Sequence, residues 1–185
     1  MPKKVLILLE NGFEEIETIS PIDLLRRAEV EVTMAAVGDE LEVTGKTGIR
    51  VTADALLADC RNEAFDALIV PGGPAAKVLR KNPMVLKTVR DFYEKELLVA
   101  AICAAPTVLN EAAILGGKRY TGHFSIAEEL PDLLPDAVVQ DGNLITSRGA
   151  GTAVAFGLAI VADLCSEGLA QEIAASICVP GTSAS

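Results

Sequence analysis

Three stretches of the chain, Val5-Leu6-Ile7-Leu8-Leu9, Ala67-Leu68-Ile69-Val70 and Leu97-Leu98-Val99-Ala100-Ala101-Ile102, are apolar at every position. A strand with one wet face alternates apolar and polar residues, so unbroken runs of this length suit strands covered on both faces. Val30 to Val37 alternates enough to be a further strand, and Val138-Val139 and Leu144-Ile145-Thr146 read as late strands joined by an Asp141-Gly142 hairpin turn. Leu41 to Thr52, with Gly45 and Gly48, reads as a flap or hairpin. Helical stretches fall between the strands. The first runs from Phe13 to about Arg27, with acids in its first turn and Arg26-Arg27 in its last, an order that complements the helix dipole. Pro21 lies inside it and is expected to kink it or end its first segment. Asn82-Pro83 caps a helix through Tyr93, and Pro106 opens one that Gly116-Gly117 closes. Ser147 to Gly151 opens a long apolar helix to Leu164, a last helix spans about Gly168 to Ile177, and the polar tail from Gly181 to Ser185 is expected to fray. Strands alternating with helices predict an α/β fold, a mostly parallel sheet with helices on both faces.

In such a sheet ligands sit at the carboxyl ends of the strands. The first buried run ends in Glu10-Asn11-Gly12 and leads to Glu14, Glu15 and Glu17; the second ends in Pro71-Gly72-Gly73-Pro74; the third ends at Cys103, followed by Ala104-Ala105-Pro106. Strand, sharp turn and helix with a cysteine at the turn is the layout of a nucleophile elbow. A helix N-terminus lowers a thiol's pKa, so the position favours a thiolate. The alternative is a buried, inert core cysteine. Gly72-Gly73 can present backbone N–H groups as a nest, and with the amide of Ala104 these suit an oxyanion. Glu17, if protonated by burial, would donate a hydrogen bond to the sulfur; the competing reading of the three glutamates is a solvated helical turn. His123 is the one imidazole available for acid–base work.

Composition narrows the classes. The 185 residues fit one domain over the whole chain. A net charge of −10 argues against a nucleic-acid-binding face. The apolar stretch from Ala150 to Leu164 is too short to span a bilayer, so no membrane partner is expected. Four cysteines without CxxC spacing and a single histidine give no metal motif, and no metal is expected. Reduced cysteines and the lack of a cleavage pattern after Met1-Pro2-Lys3-Lys4 point to the cytoplasm.

Several segments together resemble the DJ-1/ThiJ/PfpI family, in its DJ-1-like branch. They are Gly12-Phe13-Glu14-Glu15-Ile16-Glu17-Thr18, Asp23 to Ala28, Val70-Pro71-Gly72-Gly73, Ala100 to Thr107 around Cys103, His123, and Thr146-Ser147-Arg148-Gly149-Ala150-Gly151-Thr152. The resemblance implies a flavodoxin-like three-layer sandwich, a homodimer, and an oxidisable cysteine at the elbow. It makes Cys103 the nucleophile, Glu17 the protonated carboxyl beside it and His123 a general acid–base. Gly72, Gly73 and Ala104 would meet the substrate, with Glu14 and Arg27 near a dimer interface beside the cleft. The activity implied is cofactor-free conversion of glyoxals such as methylglyoxal, or removal of glyoxal adducts from proteins; redox sensing or chaperone action through Cys103 is the alternative. Ala104 stands where the protease-like branch has a histidine, so peptidase activity is not expected.

Overall fold

The computed structural model describes residues 2–182. In chain order the elements are β1 (Lys4–Leu9), α1 (Glu15–Arg27), β2 (Glu31–Ala36), β3 (Glu42–Thr44), β4 (Arg50–Thr52), β5 (Ala55–Leu56), β6 (Ala67–Val70), α2 (Ala76–Leu79), α3 (Pro83–Glu94), β7 (Leu98–Ile102), α4 (Pro106–Glu111), β8 (Val138–Asp141), β9 (Leu144–Ser147), α5 (Ala153–Leu164) and α6 (Glu167–Ser176). Seven strands form one sheet in the order β5-β2-β1-β6-β7-β9-β8. Every pairing in it is parallel except β8 with β9. The expected flap is the separate antiparallel pair β3–β4.

The three unbroken apolar runs are the three central strands, β1, β6 and β7, and their residues divide between two cores as a strand's period of two requires. Leu6, Leu8, Leu68, Val70, Val99 and Ala101 join one core with Val85 and Val89 of α3 and Val108 and Leu109 of α4. Val5, Ile7, Ile69, Ala100 and Ile102 join the other with Leu24 and Leu25 of α1 and Phe156 and Ile160 of α5. Helices on both faces of a mostly parallel sheet make this a flavodoxin-like sandwich. From β1 the chain steps to β2 on one side and returns as β6 on the other. The strand order reverses there, which opens a crevice at the carboxyl ends of β1, β6 and β7.

Three boundaries differ from the sequence expectation. Pro21 does not end α1, which runs on to Arg27. Gly157 of α5 lies against it, where a Cβ would come within 3.0 Å of Pro21 Cα and 2.6 Å of Leu24 Cδ1, so close helix packing offsets the lost hydrogen bond. The helix after Cys103 ends at Glu111, before Gly116-Gly117, because Ala113 takes φ +61° and Ile114 N–H bonds to the Leu109 carbonyl at 3.1 Å. That is a Schellman closure without a glycine. Ahead of α5, Ala150–Thr152 form a 3₁₀ turn. Of the tail expected to fray, residues 183–185 lie outside the described residues.

Candidate active site at the Cys103 turn

Cys103 follows β7 directly and takes φ +67°. A left-handed backbone at a non-glycine residue costs on the order of 1–3 kcal/mol and persists where its surroundings fix it. Here both backbone groups are held: Cys103 N–H bonds to the Ser147 carbonyl and its own carbonyl accepts from His123 N–H, each at 2.9 Å. The side chain thereby leaves the line of the strand and enters the crevice, where it is partly buried.

Glu17 reaches the same point from the first turn of α1. Its N–H bonds to the Glu14 carboxylate at 2.8 Å, so Glu14 caps the helix and sets its start. The Glu17 side chain is 1% exposed. Its Oε2 accepts from Gly72 N–H at 3.1 Å, and the carboxyl hydrogen-bonds the Cys103 thiol. A Cβ on Gly72 would fall 2.5 Å from Glu17 Oε2 and 2.7 Å from Cys103 Cβ, so only glycine lets the two side chains meet. The backbone amides of Gly73 and Ala104 hydrogen-bond the sulfur.

Burial raises the Glu17 carboxyl to about 7, opposed by its bond to Cys103 and aided by the charge of Glu14. Burial also pushes the Cys103 thiol up to about 12, with the Glu17 charge adding to it and the Gly73 and Ala104 amides pulling it back. The expectation that the helix end alone favours a thiolate is therefore corrected. The helix that follows has only six residues, and burial of the thiol, with the Glu17 charge adding to it, raises the pKa. The two acids behave as one coupled pair.

His123 follows the segment beside β9 and caps the 3₁₀ turn Phe124–Ile126. Its ring packs against Phe124 with centroids 4.0 Å apart and the planes tilted by 35°. The three side chains converge in front of Gly149, where a methyl group would lie 3.5 Å from His123 Cδ2, 3.8 Å from Glu17 Oε1 and 4.0 Å from Cys103 Sγ. Thus Cys103, Glu17, His123, Gly72, Gly73 and Ala104 meet, and Glu14 stands just behind Glu17. Arg27 does not join them. It lies ten residues further along α1, about 15 Å of helix, and pairs with Asp23 at 2.7 Å.

Two residues of the site escaped the sequence reading. Gly149 forms its wall; the Ser147-Arg148-Gly149-Ala150-Gly151 segment that holds it was read as a helix opening and as part of the family resemblance, without a site role for the glycine. Lys46, in the β3–β4 loop, places Nζ 3.8 Å from Glu14 Oε1 and brings a positive charge toward Glu17. That loop is anchored by Glu15, whose Oε1 accepts from Thr47 N–H at 2.7 Å. Although burial opposes it, the Thr47 bonds hold the Glu15 carboxyl below its ordinary value. Among the described residues no cluster of three His, Cys, Asp or Glu is placed to hold a metal, and no helix is long and apolar enough to cross a membrane. A concavity of about 730 Å³ between α3 and the segment around Cys60 opens at the other end of the strands and contains none of these groups.

A cysteine at a strained strand-to-helix turn, in contact with a buried carboxyl and two backbone amides, defines an α/β protein of the elbow-cysteine class. The chain belongs to the DJ-1/PfpI family, whose model matches residues 3–163. Protein dj-1beta of Drosophila melanogaster is 36% identical over 184 residues, covering 97% of this chain and 98% of that protein. The crystal structure of VC2308 protein superposes with a TM-score of 0.93 at 38% identity, covering 98% of this chain and 95% of that one. A structure described as Toxoplasma gondii DJ-1, oxidized, gives 0.91 at 31% identity, covering 95% and 97%.

Proposed function

We propose that this chain is a cysteine-dependent enzyme of the glyoxalase or deglycase type. It acts without a cofactor on 2-oxoaldehydes such as methylglyoxal, or on the adducts they form with proteins. The observation that carries this reading is the convergence of Cys103 Sγ, the Glu17 carboxyl and the His123 ring on one carbon-sized space before Gly149. Between about pH 7 and about 12 the Glu17–Cys103 pair retains one proton. When Glu17 holds it, the sulfur is a thiolate facing two amide donors. The thiolate adds to the aldehyde carbon and Glu17 gives its proton to the new alkoxide, forming a hemithioacetal. A proton then passes from that carbon to its neighbour, and the hydroxyl proton from the first oxygen to the second, which makes a lactoyl thioester. Water cleaves the thioester to lactate and restores the pair. Methylglyoxal and water together have the atoms of lactic acid, so no oxidant is consumed.

The test is lactate formation from methylglyoxal without glutathione or added metal. Wild type turning over while Cys103→Ser does not supports the reading; equal rates, or none in wild type, sink it. A second reading, oxidative sensing, draws on the oxidised form of the Toxoplasma relative and on the donors around the sulfur. A sulfinate on Cys103 would accept those hydrogen bonds. Mild peroxide should then add two oxygens to Cys103 before Cys60, Cys165 or Cys178, and equal oxidation of all four would count against it.

A second copy of the chain is the partner we propose. Ile16 and Ile19 lie on one face of α1 and are 54% and 42% exposed. A homodimer through α1 would cover them and bring Arg27 and Glu14 to a shared cleft. Sedimentation should show a dimer for wild type and a monomer for Ile16→Glu.

A further inference from the structure

We propose that Ser125 locks the His123 ring in the tautomer that carries its proton on Nε2, making His123 a hydrogen-bond donor in the reaction and not its base. This rests on the reading of Cys103, Glu17 and His123 as one active centre. The Ser125 backbone N–H points at His123 Nδ1 at 3.2 Å, and the Ser125 hydroxyl lies 2.8 Å from the same nitrogen. A backbone amide only donates, so Nδ1 must offer its lone pair. In a neutral imidazole the proton then sits on Nε2. The geometry is built in: His123 is the N-cap of the Phe124–Ile126 turn, and its ring satisfies an amide that has no carbonyl partner there.

The opposite edge of the ring faces the chemistry. Cδ2, bonded to Nε2, is the His123 atom nearest the space shared with Glu17 and Cys103. An Nε2–H at that edge meets an oxygen on the reacting carbons. A neutral ring that gave up this proton would become imidazolate, so it polarises the oxygen and does not transfer the proton. Glu17 must carry the proton both ways. When the C–H bond of the hemithioacetal breaks, its electron pair forms the carbon–carbon double bond and the neighbouring oxygen becomes negative, held by Nε2–H. The Glu17 carboxylate takes the proton and returns it to the second carbon, while the hydroxyl proton of the first oxygen passes to the neighbouring oxygen, leaving a thioester carbonyl beside a hydroxyl.

The chain has a single histidine, so protein grown with ring-¹⁵N histidine gives two ring signals that belong to His123 alone. We expect Nε2 in the protonated range and Nδ1 in the lone-pair range in the resting protein. A protonated Nδ1 overturns the lock whatever the activity. Ser125→Ala keeps the amide and should keep the tautomer; Ser125→Pro removes the amide donor and should broaden or mix the two forms, with kcat about fivefold to tenfold lower and KM little changed. An unaltered spectrum in folded Ser125→Pro also overturns the lock. For the donor role, His123→Gln, whose side-chain amide can donate near Nε2, should stay within about tenfold of wild type, while His123→Ala should lose about a hundredfold. Equal losses in both would mean that His123 acts as a base. A wild type with no turnover refutes the enzymatic reading and the donor role with it, while the resting spectrum still decides the lock.

Discussion

The buried carboxyl of Glu17 has a thermodynamic consequence that can be measured without substrate. Its pKa rises from the ordinary 4.5 to about 7 on folding. Between those values the folded chain keeps a proton that the unfolded chain has released, so stability falls as pH rises through this window and levels off above it. At about 1.4 kcal/mol for each tenfold change in proton affinity, the loss is roughly 3 kcal/mol. Glu17→Gln preserves the shape of the side chain, and its carbonyl can still accept from Gly72 N–H. It cannot ionise. Urea unfolding of both proteins at pH 4.5 and pH 8 isolates the effect, because carboxylates such as Asp66 and Glu15 titrate alike in each and cancel. Wild type should lose about 3 kcal/mol relative to Glu17→Gln between the two pH values. A difference that stays constant within about 0.5 kcal/mol would show that burial does not raise this carboxyl, and the proton-shuttling pair would lose its basis.

Two glycines give further tests. Gly72→Ala forces a methyl to within 2.5 Å of Glu17 Oε2 and 2.8 Å of the Ile102 carbonyl, and should cost about 1–3 kcal/mol in urea unfolding together with most of the turnover; wild-type stability would contradict the packing described. Gly149→Ala meets its neighbours only at 3.5 Å or more, on extended backbone, so its melting temperature should be unchanged. Its methyl fills the space where substrate is proposed to sit, and kcat/KM should fall at least about tenfold; unchanged kinetics would move the substrate elsewhere.

The parts of the fold that were legible are those dictated by burial. β1, β6 and β7 announced themselves because a strand covered on both faces has no place for a polar residue. The turn at Cys103 was legible because the apolar run stops there and Pro106 can only begin a helix. Helix ends were harder, since several close on residues other than glycine: Glu29, Glu96, Ala113 and Cys178 all have positive φ. After each, the next amide bonds back to the fourth carbonyl before that residue, as in Val30 N–H to Leu25 and Leu97 N–H to Phe92, both at 3.0 Å. The neighbours of Cys103 at the ends of other elements were legible only in outline. The carboxyl ends of parallel strands meet by topology, which draws Glu17 and Gly73 to the thiol. What chain order does not reveal is depth of burial and contact distance, and these decide that burial and the Glu17 charge raise the Cys103 thiol. Ser125 was unreadable for the same reason, as its role depends on which ring nitrogen its amide meets.

The most direct measurement quenches the protein during reaction with methylglyoxal and maps the adduct by mass spectrometry of its peptides. A mass increase of one methylglyoxal is expected on the peptide containing Cys103, transient in wild type and accumulating in Glu17→Gln, where loss of the neighbouring charge eases thiol ionisation and water protonates the alkoxide, but no carboxylate takes the carbon-bound proton of the hemithioacetal. Modification confined to lysines, arginines or the other three cysteines, with the Cys103 peptide unmodified in both proteins, would contradict this mechanism.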